Sequence, residues 1–268
     1  MTVWINEQPR ELPVGTRLFA VRDLCKPEAD VLIVNGFPAT SDQPLRDQDR
    51  VVLIRRGERP SAGELEALMA ARHTPGVHER VKGASVGIAG AGGLGSAVAV
   101  ALARIGVGRL IIADFDVVEP SNLNRQQYFV DQIGLPKVEA LRDNLARINP
   151  YVKVDIFNGR LTPENIPTVF AEARILVEAF DAAAQKAMLV ESFRRHFPER
   201  PLVAASGLAG YQPSNTVVTR RVGAQLVLVG DGQSAARPGE GLMAPRVGIA
   251  AHHQANAVLR LLLGEEPQ

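Results

Sequence analysis

The chain has 268 residues, 46% hydrophobic and 22% charged, an ordinary mixture for a folded protein with a sizeable core. Its formal net charge of +1 gives no electrostatic case for nucleic acid or an acidic membrane as partner. A single cysteine, Cys25, excludes an internal disulfide framework and a Cys-x-x-Cys metal site; the opening MTVWINEQPREL lacks a signal-like apolar segment and no run approaches a membrane span, so the expected location is cytoplasmic.

Val3 to Asn6 and Glu11 to Leu12 read as a hairpin. Thr16 to Leu24 reads as a helix, with Leu18, Phe19, Val21 and Leu24 near helical spacing. Val31 to Val34 is a short apolar strand closed by Asn35-Gly36, a strong turn signal. The polar turn Arg46 to Arg50 leads into a last strand, Val51 to Ile54. The order β-β-α-β-β is that of a β-grasp, or ubiquitin-like, module, assigned to residues 1–58. Cys25 falls in its helix, where a buried apolar thiol is expected. Arg55, Arg56 and Arg59 read as a solvated basic face or a dock for an acidic partner. Ser61 and Glu64 form a capping-box pattern before a helix carrying Leu65, Leu68 and Met69. Residues 59–82 read as a helical connector, interrupted by Pro75-Gly76.

From Ala84 the pattern alternates strand and helix. Strands are expected at Ser85–Ala89, Leu110–Ala113, Val152–Phe157, Ile175–Ala179 and Leu202–Ala205. Helices are expected at Ser96–Ile105, Pro136–Ile148 and Ala182–Phe197, with a further one capped by Thr162 and starting at Pro163. Asn215–Thr219 and Gln225–Val229 resemble an added antiparallel pair. Asp231 to Pro245 is a Gly/Pro/Ser-rich loop expected to be mobile, and Val247 to Leu263 a closing apolar helix. Residues 83–268 are therefore assigned to an α/β domain, a doubly wound, Rossmann-like, mostly parallel sheet.

Gly90, Gly92 and Gly95 form G-x-G-x-x-G between a strand and a helix, within GAGGLGS (Gly90 to Ser96). Such a turn lets backbone N–H groups and a helix N-terminus meet a phosphate. Asp114 ends the next strand, about 20 residues on, where a carboxylate can accept ribose hydroxyls. Asp116 can point similarly or serve as a turn residue. The segment DFDVVEPSNLNRQ then crowds Asn122, Asn124, Arg125 and Gln126 at the mouth of the same sheet, with Lys137 following. Arg and Lys neutralise phosphate charge and Asn and Gln orient oxygens, so the group indicates chemistry on a phosphate. Asp181 follows the strand ILVEAF at a ligand-binding sheet end; it can hold Mg²⁺, cap the next helix, or both. His252 and His253 lack ligand spacing and read as structural.

At these residues the chain resembles the E1-like ThiF/MoeB/HesA adenylating family over about residues 70 to 264, with the motifs in family order. Within it the chain most resembles the shorter ThiF-like proteins of thiamine biosynthesis, ThiF family 2. The N-terminal module resembles ThiS, through INEQPREL, PVGT, VLIVNG and RDQDRVVLI. The resemblance implies that Gly90, Gly92, Gly93 and Gly95 shape the nucleotide turn, and that Asp114, with Asp116, serves the ribose. It implies that Asn122, Arg125, Gln126 and Lys137 contact phosphates and that Asp181 is linked to Mg²⁺. Arg72 resembles in placement an arginine that a partner subunit inserts into the site, and Arg80 competes for that part. Implied too are ATP and Mg²⁺, a homodimer, and a ThiS-like sulfur carrier whose terminal glycine carboxylate is adenylated for thiazole formation.

Departures from the family matter. Many members carry Cys-x-x-Cys pairs for zinc and some a cysteine in the crossover loop, here Gly230 to Pro245. This chain has neither, so no zinc and no thioester on this chain are expected. The β-grasp module runs on into RRGERPS rather than ending in Gly-Gly, so it is a fused pseudo-carrier or a stabilising relic. A different acceptor (a molybdopterin-type carrier or a tRNA-modification substrate), a nicotinamide-dependent oxidoreductase and a catalytically idle binding protein are the alternatives.

Overall fold

A computed structural model describes residues 1–268 except Arg72 and Pro75. Two compact units divide the chain, Met1–Pro75 and Gly76–Gln268. In the first, β1 (Thr2–Ile5) and β2 (Gln8–Glu11) form an antiparallel hairpin turned at Asn6 and Glu7, both at positive φ. Then come α1 (Leu18–Cys25), β3 (Val31–Val34), β4 (Phe37–Pro38), β5 (Arg50–Ile54) and α2 (Ala62–Ala70). The sheet order is β2-β1-β5-β3-β4, with β1 and β5 parallel. Alternation along the strands sends Val3, Ile5, Leu32, Val34, Val51 and Leu53 into one core, which Leu18 and Val21 of α1 cover. This is the expected β-grasp order with one short strand, β4, added after β3. Ser61 caps α2 by accepting the Glu64 N–H.

One expectation fails here. Cys25 is exposed. The helix α1 ends at this residue and buries only Leu18 and Val21, so the next turn, with Leu24 at 75% exposure, lies beyond the core.

The second unit contains α3 (Val77–Lys82), β6 (Ser85–Ala89), α4 (Gly93–Arg104), β7 (Arg109–Asp114), α5 (Lys137–Ile148), β8 (Lys153–Asn158), α6 (Ile166–Val169), β9 (Ile175–Glu178), α7 (Ala183–His196), β10 (Leu202–Ala205), β11 (Val218–Gly223), β12 (Leu226–Gly230) and α8 (Ala244–Leu262). Its seven-stranded sheet runs β11-β12-β10-β9-β6-β7-β8, parallel throughout except for β11 against β12. The expected added pair is present. It starts later, because Ser214–Thr216 forms a 3₁₀ turn, and β12 also joins β10 in parallel. The central strands β6, β9 and β10 are apolar because both faces are covered, by α4, α5 and α8 on one side and α6 and α7 on the other. From β6 the chain winds outward through β7 and β8, then returns to β9 on the other side of β6. That reversal is a topological switch point, where open sheets bind ligands.

Two helix starts differ from expectation. Thr162 and Pro163 lie in a turn closed by Asn165, and α6 begins at Ile166 with Pro167 in its first turn. Pro167 suits that first turn, where its missing N–H costs nothing, and so outcompetes Pro163. Asp181 does not cap α7; Ala182 occupies the N-cap without a side-chain bond. His253 Nδ1 pairs with Thr219 Oγ1 at 3.0 Å and His252 Nδ1 with the Gly248 carbonyl at 2.8 Å, both packing roles for α8.

The loop after β12 is tied to the start of α8 by a buried ion pair. Arg246, 3% exposed, donates to Asp231 Oδ2 at 2.6 Å and also to the Gln212 and Pro213 carbonyls and Thr216 Oγ1. Burial opposes ionisation of Asp231, but bonds from Ser234, Gln233 and Arg246 outweigh it and hold its pKa at about 2. A folded pKa below the unfolded value stabilises the fold above the unfolded pKa, and that contribution is lost as pH falls through the folded one. The denaturation midpoint of Asp231→Asn is therefore expected to lie below wild type near neutral pH. The gap should close as pH drops from about 4 to about 2; a gap constant with pH would exclude this linkage.

Candidate functional site

A cavity of about 860 Å³ opens at the switch point. The chain leaves β6 at Gly90 with φ +98, and a Cβ there would lie 2.8 Å from the Ala179 carbonyl beyond β9. At Gly95 a Cβ would lie 1.8 Å from the Gly90 oxygen, and at Gly93 it would lie 2.9 Å from Val247 Cγ1. Packing against backbone thus requires glycine at 90 and 95, while at Gly93 only a side-chain methyl stands close. Gly92 is different. Its φ is −75, and a Cβ would have Gln126 Nε2 at 3.9 Å as its nearest neighbour, an ordinary contact. No protein atom requires glycine there, and its bare backbone lines the cavity. Nor does a side chain cap α4 at Gly92, so its first-turn N–H groups favour an anion.

Asp114 braces this turn. Its Oδ2 accepts the Ala91 N–H at 2.6 Å and its Oδ1 the Asp116 N–H at 2.8 Å. Burial raises its pKa above the ordinary carboxylate value, against the pull of those N–H groups and of Lys137. Asp116 holds Lys137 twice: Oδ2 accepts Nζ at 2.9 Å, and its carbonyl accepts the Lys137 N–H at 2.9 Å. Lys137, 6% exposed, still lines the cavity. Its ammonium carries three protons, so the pair with Asp116 leaves others for a ligand.

Asn122 is 7% exposed, and its Oδ1 closes a 3₁₀ turn by accepting the Glu119 N–H at 3.0 Å. Its amide NH₂ is the part left for the cavity. Arg125 donates to the Ser121 carbonyl and to Asn124 Oδ1, at 3.1 and 2.8 Å, and lines the same cavity. Gln126 is 8% exposed, and its Oε1 is buried with no hydrogen-bond partner. Asp181 is exposed at the opposite wall and has no hydrogen bond or ion pair among the described residues. The structure thus brings Gly90, Gly92, Gly93, Asp114, Asp116, Asn122, Arg125, Gln126, Lys137 and Asp181 to one cavity, with Gly95 packed just behind. Arg80 is elsewhere, donating to the Leu263 carbonyl at the end of α8. Arg72 lies outside the described residues.

Sequence reasoning missed four residues. Tyr128, its hydroxyl pKa raised by burial, donates to the Ala91 carbonyl at 2.7 Å. Arg160 stacks 4.5 Å over the Phe115 ring at the cavity rim. Glu178, 1% exposed, pairs with Lys186. The one available signal was a charged residue inside the apolar run ILVEAF. Among the described residues, no group of three or more His, Cys, Asp or Glu can hold a metal, and no helix is long and apolar enough to cross a membrane.

The model of the ThiF family matches residues 66–268, and that of ThiS-like ubiquitin matches residues 1–57. The chain belongs to the ThiF family. It is 34% identical over 191 residues to the molybdopterin-synthase adenylyltransferase of Escherichia coli K12, a match spanning 69% of this chain and 76% of that relative. It is 46% identical over 85 residues to the ubiquitin-like modifier-activating enzyme 5 of Caenorhabditis elegans. That match spans 32% of this chain and only 20% of the relative. Among solved structures it is similar to E. coli tRNA N6-threonylcarbamoyladenosine dehydratase in complex with AMP. The TM-score is 0.67 at 22% identity, covering 73% of this chain and 93% of that one, a likeness of fold.

The glycine geometry makes a paired prediction. Gly95→Ala forces a methyl against the Gly90 carbonyl and should cost about 3 kcal/mol. Gly92→Ala meets only ordinary contacts and should cost within about 1 kcal/mol, the price of a poorer helix cap. Chemical denaturation of both variants checks this; equal losses would remove the distinction between a packing glycine and a cavity-lining one.

Proposed function

We propose that this chain is an ATP-dependent adenylyltransferase that activates the terminal glycine carboxylate of a ThiS-like sulfur carrier, in thiazole formation for thiamine. The observation that carries the reading is the cavity's charge arrangement. A bare Gly92 backbone and an uncapped helix N-terminus face the same space as Arg125, Gln126 and Lys137. A nicotinamide-dependent oxidoreductase would use the glycine turn and Asp114 but has no task for that cationic group. The adenylyltransferase relatives and the family membership support the same choice.

In this reading a carrier carboxylate oxygen attacks the α-phosphorus of ATP. A new oxygen–phosphorus bond forms as the bond to the β-phosphate oxygen breaks, giving an acyl-adenylate and pyrophosphate. The carboxylate is already ionised at neutral pH, so no general base is needed. Attacker and triphosphate are both anionic, so positive charge must offset their repulsion. Lys137 is held in place for this by Asp116, while Arg125 is fixed only by a carbonyl and an amide oxygen and can reorient toward a phosphate. Asp114 offers the ribose its remaining lone pairs, and the unpaired Gln126 Oε1 offers an acceptor. Mg²⁺ held at Asp181 would supply positive charge beside the phosphates. It needs one or two carboxylates besides phosphate oxygens, which the unpartnered Asp181 fits.

The β-grasp module runs on from β5 into the rest of the chain and has no terminal carboxylate of its own, so the acceptor is a separate molecule. The relation to molybdopterin-synthase adenylyltransferase favours, as a second reading, a carrier of the molybdopterin type. A homodimer belongs to the proposal.

The test is ATP–pyrophosphate exchange with Mg²⁺ and either carrier. Carrier-dependent exchange is expected, with the ThiS-type carrier preferred. Arg125→Ala and Asp181→Ala should each lower it by about 100-fold or more with the denaturation midpoint unchanged. Near-normal exchange in either variant would remove that residue from the site, and no exchange with any carrier by folded wild-type protein would end the adenylation reading.

A further inference from the structure

Neither Glu178 nor Lys186 has a task in the displacement itself, yet their pair is the most completely bonded ionic group at the cavity. Glu178 ends β9. Its Oε1 accepts the Phe180 N–H at 2.7 Å and its Oε2 the Ala205 N–H at 3.3 Å. Lys186, in the first turn of α7, donates to Glu178 Oε1 at 2.9 Å, to Oε2 at 3.0 Å and to the Ala205 carbonyl at 3.0 Å. An ammonium has three N–H groups, and these acceptors take all three. Lys186 therefore lines the cavity without a donor left for a phosphate, unlike Lys137.

What the pair does hold is a turn. It joins the ends of β9 and β10 to the start of α7, and the chain between β9 and α7 is Ala179-Phe180-Asp181-Ala182. That turn is pinned before Asp181 by the Phe180 N–H and after it by Lys186. Asp181 has no partner among the described residues and does not cap the helix, so its place depends on the turn alone. A buried ion pair adds little to stability compared with apolar residues of similar size, so fold stability alone does not explain it.

We infer that Glu178 and Lys186 are a positioning pair that fixes the Phe180–Ala182 turn and thereby sets where the Asp181 carboxylate stands beside bound triphosphate. The inference rests on the reading of Asp181 as the Mg²⁺-linked carboxylate.

The test uses the full chain carrying Glu178→Gln with Lys186→Met, a neutral pair of similar size. Mn²⁺ affinity is read by electron paramagnetic resonance in the presence of an ATP analogue that cannot be cleaved between the α- and β-phosphates. Hydrogen exchange is read at residues 180–183. Loss of an outer support costs a metal site about 10- to 100-fold in affinity. The double variant should therefore bind Mn²⁺ about tenfold more weakly, and exchange at 180–183 should speed up while β6 stays protected. Lys186→Arg, which keeps a cation for Glu178, should recover most of the affinity. Should the neutral pair fail to fold, Glu178→Asp keeps both charges, shortens the reach by one methylene, and should move the same two readings. Unchanged Mn²⁺ affinity and exchange in a folded variant overturn the inference. Asp181→Ala, run in parallel, separates the two claims. If it weakens Mn²⁺ binding and the pair variants do not, only the positioning role falls. If it has no effect either, the metal reading falls and takes this inference with it.

Discussion

One residue anchors the glycine-turn end of the cavity. Ala91 is held at both of its polar atoms, its N–H by Asp114 and its carbonyl by the Tyr128 hydroxyl. A glycine-rich turn has more freedom than any other segment of similar length and loses more entropy when ordered. Two hydrogen bonds to one residue inside that turn, one of them buried, remove the freedom before any ligand arrives. Ser96 extends the grip, donating to the Gly92 carbonyl and accepting the Gln127 N–H. Two stretches separated in sequence, the glycine turn and the segment after Asp114, are thereby made one rigid wall. Arg125 and Gln126 lie between those fastenings, so their backbone positions relative to Gly92 are set by the fold rather than by a ligand.

The cations at the cavity differ in how much bonding capacity they keep. Lys186 has spent all of its donors on Glu178 and Ala205. Lys137 has one carboxylate partner and is nearly buried. Arg125 has only neutral oxygen partners, one of them on its neighbour Asn124. A charge opposite a carboxylate is largely neutralised, whereas a guanidinium on neutral acceptors keeps its full field. The strongest pull on a phosphate should therefore come from Arg125, with Lys137 fixed in geometry and weakened in charge. In the proposed adenylation, such a graded set suits a displacement in which negative charge moves from one oxygen to another.

Much of this was legible in the sequence, for physical reasons that differ by element. Buried parallel strands must be apolar on both faces, so Ser85–Ala89 and Leu202–Ala205 were plain as short runs. The glycine spacing and Asp114 were plain because turn sterics admit few alternatives. Asn122, Arg125, Gln126 and Lys137 were expected at one mouth, and the fold places them around one cavity. What sequence hid were properties of partners. Asp116 read equally as a ribose contact or a turn residue, and only the bond to Lys137 shows its attachment. Cys25 read as core because helical spacing says nothing about where a short helix stops. Thr162-Pro163 imitated a helix start that the next proline, Pro167, captured instead.

Glu178 and Asp181 show most clearly why pattern alone stops short. Both are carboxylates within one turn of chain at the same sheet end, and sequence reasoning valued only the second. Glu178 points back into the protein, where burial raises its pKa and Lys186 with two backbone N–H groups opposes that rise. Asp181 stands exposed with no such company. The two states depend on each other. A carboxylate that is to stay free for a ligand cannot bond to its own turn, so the turn must be fixed by other groups. Placing that duty on a buried, saturated pair leaves Asp181 with its whole coordinating capacity. The cost is that one side chain's position depends on two others whose own bonding capacity is spent inside the protein.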